Sequence, residues 1–483
     1  MLGARPVHHD EGMLAYFAWK LAREGSYNYT PQIHAPILFY LQAALFRVFG
    51  ESIAVLRGSM AIFGVILCLI PLVFIKTIGK TRAIILSLIF LTSPLFGFYS
   101  RFLVHTGLVV VFWFAFIFSL KRFLTKFNYW DLHLSAAFLA LAFGISETTY
   151  IFLAPVALFI VPFFIFASKK FIKYLSRFAK FVREDPYQLV SAILIFLLIW
   201  ILVYSVGLTN YKSLAISAPN PFNKESGLGF WFAQQPTKLG SQPWYYYLIL
   251  LALYEPVVLV GSVFGLINIY KKKSVFYWFL CWLVLTSMVA FSYAGEKFPW
   301  LFLAAALPTF LLAGYYIGGN WKNFKLISKI IFVILFVWAA VISIRLNYFN
   351  VGDTREMAVY VQTPAVFQKE INKILSVCKP INRADCVLID QKISWPLSWS
   401  FRDLSTLIYA DNFQTQENTK FVIIGNENYS QVKIDDSWKK QEIYLRDWWV
   451  PTRHPGLKNY LKYYFLREIW NEKGGYNVTV YSR

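Results

Sequence analysis

Charged side chains are scarce in this chain: Asp, Glu, Lys and Arg make up 15% of its 483 residues, against 57% hydrophobic and 19% aromatic residues. That balance excludes an ordinary soluble globular protein, in which about a quarter of the residues are charged. Acids are the scarcer sign, 26 against 47 Lys and Arg. The long apolar runs lack the period-two alternation of barrel strands, which excludes a transmembrane β-barrel and leaves helices. A secretory leader, with a charged start and an apolar core of about 7 to 15 residues, is also missing ahead of the first such run.

What is present is a series of apolar runs long enough to cross ~30 Å of hydrocarbon as helix. Ten spans are expected, near 55–75, 83–99, 102–121, 132–146, 149–168, 188–207, 244–269, 275–293, 299–318 and 326–345. The chain therefore reads as a polytopic α-helical membrane protein. After residue 346 the composition turns to that of a soluble domain. Short β-rich runs at 386–389, 406–409, 421–424, 442–445 and 478–481 alternate with helical stretches at 364–377 and 456–470, which predicts a small α/β domain with a largely parallel sheet. The expected division is a loop region 1–54, a transmembrane region 55–346 and a C-terminal domain 347–483.

Orientation follows from the basic residues of the short connections. One alternating set of connections holds eighteen, including Lys76, Arg82, Lys121, Arg122, Lys169 to Arg183, Lys271 to Lys273 and Lys322. The other set holds five: Arg101, Lys212, Lys224, Lys238 and Lys297. The first set is expected in the cytoplasm, and an even span count then puts both chain ends outside, in a multi-pass cell-membrane protein. The net charge of +21 is mostly this topology signal, suited to anionic headgroups. It calls for membrane lipids as partners and for no nucleic acid.

The acids gather on the outer side. Asp131, Glu184 and Asp185 fall among the basic connections and Glu255 inside the seventh span, whereas Asp10, Glu11, Glu24, Glu51, Glu147, Glu225 and Glu296 fall outside. Charged residues beside a bilayer point to a site. The first pair sits in His8-His9-Asp10-Glu11-Gly12. Two amphipathic helices follow, over Gly12–Gly25 and Pro36–Phe49, and are expected to lie in the membrane interface with the Asp-Glu pair at headgroup depth. Some fifty residues thus precede the first span on the outer side, so a further span upstream of Met1 is expected to carry them across. A solvated helix start is the plain alternative for Asp10 and Glu11. Glu255 is costly to bury and is expected to line a polar cavity.

Cys378 and Cys386 lie outside the spans, where export permits a disulfide without requiring one. Cys68 and Cys281 read as small core residues. Asn28, Asn428 and Asn477 each begin an N-glycosylation acceptor triplet.

Several segments carry a resemblance. His-Asp-Glu-Gly ahead of an amphipathic helix, His34-Ala35-Pro36, Leu38 to Leu41, Arg47 to Gly50 and Leu56-Arg57 resemble the opening of GT-C-type membrane glycosyltransferases, a class that includes the dolichyl-phosphate-mannose protein mannosyltransferases. Gln242 to Tyr247, Tyr254-Glu255, Ala294-Gly-Glu-Lys-Phe-Pro-Trp-Leu301 and Trp395 to Trp399 are similar to a prokaryotic branch known as flippase-activity-associated proteins. The chain departs from the family in having no transmembrane helix before the acidic loop, and Ala304 or a neighbour stands where a histidine follows the family's Pro-Trp.

The resemblance implies transfer of a sugar from a polyprenyl phosphate to a protein or glycan acceptor on the outer face, with inversion at the anomeric carbon. A carboxylate then takes the proton of the attacking hydroxyl; Asp10 is the expected base, with Glu11 second or positioning it. Cations must meet the charge on the leaving phosphate, a role expected of Arg101 and Lys297. His9, His34, Glu147, Glu296 and Trp300 complete the expected substrate-binding set; Trp231, Trp244 and Trp300 suit sugar faces and equally suit an interfacial aromatic belt. No cofactor is expected, although His8, His9 and His34 could hold a divalent metal with Asp10. Arg101 could simply mark the edge of a span, and Lys297 could simply pair with Glu296, a link worth little at a wet surface. The rival reading is a lipid-linked-sugar flippase or transporter. Carriers place acids at the membrane midplane between repeated, broken helices; here only Glu255 lies there and no repeat is evident. A scaffold without activity is the third reading.

Overall fold

The computed structural model describes the chain except for residues 1, 4, 26, 238, 239, 241, 382–384, 405, 410–414, 428–433, 436 and 452–455. Asn428 and Lys238 lie outside the described residues. Seven described helices are long and apolar enough to span a membrane: Ile53–Val73, His105–Lys126, Thr148–Glu184, Pro186–Tyr204, Val275–Tyr293, Pro299–Asn320 and Leu326–Phe349. An eighth span is formed if the pair Tyr246–Tyr254 and Pro256–Ile267, bent by 115°, counts as one. This is fewer than the ten expected. The run at 83–99 divides into helices Lys80–Thr92 and Pro94–Tyr99, and that at 132–146 forms Tyr129–Ile145, each shorter than a full crossing. Pro94 supplies the break in the first case, since a proline opens a new helix more readily than it continues one.

The Pro299–Asn320 helix is the axis of the bundle. Every residue from Phe302 to Gly314 is buried, and small Ala304, Ala305, Ala306 and Ala313 allow neighbours to pack closely. Gly261 and Gly265 of the broken span face it: a Cβ on either would meet Ile317 or Leu312 side-chain atoms within 2.9 Å. The Thr148–Glu184 and Pro186–Tyr204 helices lie at the periphery, with Phe166, Val190 and Leu198 exposed as lipid-facing surface.

Two helices precede the first span, α1 (His9–Glu24) and α2 (Ile37–Phe49). Neither is a bare interfacial helix. Leu14, Ala15, Ala18 and Leu21 of α1 are buried, and α1 packs against both α2 and the C-terminal Ser394–Ser400 helix. Gly12 is the contact point: a Cβ there would stand 2.6 Å from Pro396 Cβ. Tyr16 and Phe17 meet Trp395 with ring centroids 5.6 and 5.7 Å apart.

The described residues of the C-terminal region form six strands, β1 (Val361–Gln362), β2 (Val387–Asp390), β3 (Leu407–Tyr409), β4 (Phe421–Gly425), β5 (Lys439–Trp448) and β6 (Gly474–Ser482). Their order is β1-β5-β6-β4-β2-β3. Among the described residues only β2 pairs in parallel, with β3 and β4; the β1/β5, β5/β6 and β4/β6 ladders are antiparallel. The sheet is therefore mixed, against the largely parallel expectation. Strand and helix alternate along the chain as expected, but alternation does not dictate a crossover back to the same direction. Cys378 and Cys386 form a disulfide with Cα atoms 5.8 Å apart, closing the helix Ala365–Ile381 onto β2.

The two regions are joined by a buried ionic contact. Glu356 accepts from Tyr254 Oη at 2.8 Å, Arg467 Nε at 2.8 Å and Asn350 Nδ2 at 2.9 Å. Tyr99 Oη donates to Ala358 carbonyl at 2.6 Å. The sheet domain is thereby seated over one end of the bundle.

Candidate active site

The seat of the sheet domain encloses a cavity of about 1510 Å³. Its walls come from α1 (His9, Asp10, Met13), the α1–α2 loop (His34), the start of the second long span (His105), the Glu147 turn, the Phe230–Trp231 segment, the Gly295–Trp300 loop and β5 (Arg446, Trp448). Of the nine site residues expected from the sequence, seven meet here: Asp10, His9, His34, Glu147, Glu296, Lys297 and Trp300.

Glu11 is one of the two that do not. His8 caps α1: Asp10 N–H donates to His8 Nδ1 at 3.1 Å and His8 N–H to Glu11 Oε2 at 3.4 Å. This is a capping box with histidine in the place of serine or threonine. The box turns Glu11 inward, where Arg57 donates from Nε at 2.8 Å and Nη2 at 2.6 Å, Arg5 Nη2 lies 3.3 Å away, and Leu103 N–H donates at 3.3 Å. Glu11 is fully buried and Arg57 nearly so. Burial pushes the Glu11 carboxyl up, but Arg57 and Arg5 outweigh it and bring it down to about 2. Held there, Glu11 does not line the cavity, where a second base would stand, and anchors the start of the helix that carries Asp10.

Asp10, one residue earlier, projects about 100° away around the helix and enters the cavity wall. Its Oδ1 lies 3.1 Å from His9 Nε2. Burial raises its carboxyl, but His9, by charge and hydrogen bond, and then His8 and His34 outweigh this and hold it well below the usual carboxylate range. Asp10 is therefore ionised at neutral pH. Burial, followed by the charge of His9, pushes the His8 imidazole down to about 3, so His8 is neutral and can accept the Asp10 N–H.

A second polar cluster faces the first. Glu147 accepts from Tyr29 Oη at 2.8 Å, and its Oε2 lies 3.1 Å from His34 Nδ1. The His34 ring stacks on Trp231, with centroids 5.0 Å and planes 6° apart, and lies 3.7 Å from the His105 ring. His34 has φ 68° and ψ −179°, a region almost confined to glycine. Strain of this kind persists where surrounding contacts over-determine it, as Glu147 and Trp231 do here. Both His105 ring nitrogens are buried without a hydrogen-bond partner.

On the loop side, Lys297 Nζ donates to Ala294 carbonyl at 2.6 Å. Burial raises the Glu296 carboxyl above its ordinary range, with an opposing pull from His34. Trp300 stacks on Phe298 at 4.6 Å and meets the His8 ring edge-on at 6.0 Å. His8, His9 and Asp10 each offer one potential metal-ligand atom, all within 4.8 Å of one another; His34 is outside that group. His8 Nδ1 already accepts the Asp10 N–H, which leaves His8 only Nε2 for a metal.

Arg101 is the other residue that does not reach the cavity. It hydrogen-bonds Asn347 through the backbone carbonyl at 2.8 Å and through Oδ1, and its guanidinium lies 4.9 Å from the Tyr348 ring. Glu255 lines no described cavity either. Ser93 Oγ donates to it at 2.6 Å and Leu95 N–H at 3.2 Å, so it caps the Pro94–Tyr99 helix across the bend, and its expected cavity role is corrected. Sequence reasoning passed over His105, Tyr29 and Arg446. An ionisable residue at the start of a span is itself a signal, which His105 carried; Tyr29 and Arg446 carried none.

Residues 33–182 match the family described as dolichyl-phosphate-mannose-protein mannosyltransferase. In structure the chain is similar to ArnT from Cupriavidus metallidurans. The form bound to undecaprenyl phosphate shares 12% identity over 88% of this chain and 90% of that one, with a TM-score of 0.58; the apo form shares 11% over 99% and 94%, with a TM-score of 0.61. It is also similar to the oligosaccharyltransferase AglB from Archaeoglobus fulgidus in complex with an inhibitory peptide and a dolichol-phosphate, at 12% identity over 88% of this chain and 66% of that one, with a TM-score of 0.52. No curated protein matches the chain. At these identities the structural likenesses establish the fold, which the chain shares with these membrane enzymes, and the likeness to the dolichyl-phosphate-mannose-protein mannosyltransferase family is carried by residues 33–182.

Proposed function

We propose that the chain transfers a sugar from a polyprenyl-phosphate donor to an acceptor hydroxyl in the cavity beneath the sheet domain, on the extracytoplasmic side of the cell membrane, with inversion. The observation that carries this reading is Asp10: a carboxylate in the wall of a large cavity, paired with His9 and fixed at the start of its helix by the His8 cap. The acceptor hydroxyl attacks the anomeric carbon, Asp10 takes its proton, and the bond to the lipid phosphate breaks. Lys297 meets the charge that develops on the leaving phosphate, since preorganised cations in a partly dry site act most strongly where charge appears. Trp300 and Trp231 offer apolar faces to sugar rings, and Glu147 with His34 binds hydroxyls opposite Asp10. Two bound-lipid relatives support the donor class: their structures hold undecaprenyl phosphate and a dolichol-phosphate. The acceptor is a protein or glycan hydroxyl brought in beneath β5.

Glu255, the midplane acid that a flippase could have used, is engaged in capping a helix. The test is transfer from labelled polyprenyl-phosphate sugars by the reconstituted chain and its Asp10→Asn form. General-base loss is worth ~10²- to 10⁴-fold in rate, and a drop of that size is expected with folding intact. Unchanged transfer removes Asp10 from the mechanism. Lipid scrambling without any sugar transfer replaces this reading with the flippase.

A further inference from the structure

A second, smaller cavity of about 330 Å³ opens on the flank of the bundle, away from the one just described. Met60, Val65, Cys68, Leu91, Phe96 and Leu303 give it an apolar lining. Val65, on the spanning helix Ile53–Val73, and Leu91, on the shorter apolar helix Lys80–Thr92 packed beside it, are 58% and 66% exposed, so what they face is lipid.

One end of the groove is polar. Arg101, Ser100, Ser343 and Asn347 gather there. Asn347 stands 21 residues beyond Leu326, a rise of ~32 Å from the lysine-rich end of that helix, which places it at the far membrane boundary, on the side of the active-site cavity. Arg101 is held to Asn347 and to the Tyr348 ring, and among the described residues it has no carboxylate partner. A guanidinium at headgroup depth attracts anionic headgroups, and its planar fork suits a phosphate.

We propose that this groove binds one acyl chain of an anionic glycerophospholipid, with the lipid phosphate against Arg101. Its length favours that occupant. From Met60 to Cys68 the helix rises ~12 Å, close to half of the ~30 Å hydrocarbon thickness, which suits a chain confined to one leaflet better than a long polyprenyl. The site is separate from Asp10 and does not depend on the proposed reaction.

The test uses the full purified chain in detergent and counts retained lipid by native mass spectrometry, with phosphatidylglycerol as the probe. Arg101→Gln removes the cation, and Ala61→Phe fills the groove while leaving Arg101 in place. The first is expected to bind about fivefold more weakly, the effect of ~1 kcal/mol per basic residue near an anionic lipid. The second is expected to lose the bound lipid. Phosphatidylglycerol retained equally by wild type and both variants overturns the proposal. So does equal retention of phosphatidylcholine, or displacement of phosphatidylglycerol by inorganic phosphate or a polyprenyl phosphate at matched concentration.

Discussion

The division of labour between Asp10 and Glu11 predicts opposite phenotypes for two adjacent conservative substitutions. Glu11→Gln leaves Arg57 and Arg5, 1% and 4% exposed, buried without their counter-charge. Removing one partner of a buried ion pair costs about 3–5 kcal/mol. A second route gives a similar size. The Glu11 carboxyl sits at about 2 against an ordinary 4.5, and at 1.36 kcal/mol per pKa unit the charged form is worth on the order of 3 kcal/mol to the folded state. Because the folded value is depressed, this stabilisation is fully present above pH ~4.5 and is lost as the pH falls towards 2. Wild type and Glu11→Gln should therefore differ in thermal stability at pH 7 and converge as the medium is acidified. The assay is the fraction of detergent-solubilised chain that stays monodisperse after heating, measured across pH. Asp10→Asn, whose side chain is 32% exposed towards the cavity and whose partners are histidines rather than buried arginines, should lose less stability than Glu11→Gln in this assay and fail in transfer. If Glu11→Gln is as stable as wild type at pH 7, or if Asp10→Asn is destabilised equally, the assignment of the two carboxylates is wrong.

Two more expectations can be checked with the same preparations. Glu356→Gln removes the charge that ties Arg467 and Tyr254 together, and at a few kcal/mol it should let a protease release the sheet domain from the bundle far faster than in wild type; an unchanged cleavage rate refutes that tie. Glu147→Gln keeps an acceptor for Tyr29 but removes the charge facing His34. A hydrogen bond to a charged group is worth ~1.5–3 kcal/mol, so kcat/KM for sugar transfer should fall about 10- to 100-fold with an altered pH profile, and a change in stability alone would assign Glu147 a structural role.

Seven of the nine expected site residues share one cavity because their segments end on the same side of the bundle, which loop charge and span length disclose. Glu11 misses the cavity because the helix turn commits it to Arg57, and Arg101 and Glu255 are displaced by breaks in the helices. Arg101 follows the short Pro94–Tyr99 helix, and that break turns it toward Asn347 rather than Asp10. Glu255 reads as a midplane acid because a linear chain does not reveal that Ser93 and Leu95 cross the bend to meet it. The shortfall in spans has the same origin: an apolar run measures length, and a proline or a sharp bend within it divides the run without changing its composition. The mixed sheet likewise depends on pairings between distant strands that strand propensity alone does not order.

The sequence by itself determined that this is a helical membrane protein with a soluble C-terminal domain, because hydrocarbon thickness fixes the length of apolar helix that must cross it. It also marked His-Asp-Glu-Gly as the place to look, because acids are few and costly beside a bilayer. Only the tertiary structure decided which of the two carboxylates faces the cavity. Adjacent residues on a helix point about 100° apart, so a single turn commits Glu11 to Arg57 and Asp10 to the cavity. Which way that turn faces depends on an arginine 46 residues further along the chain and on Pro396 packed against Gly12.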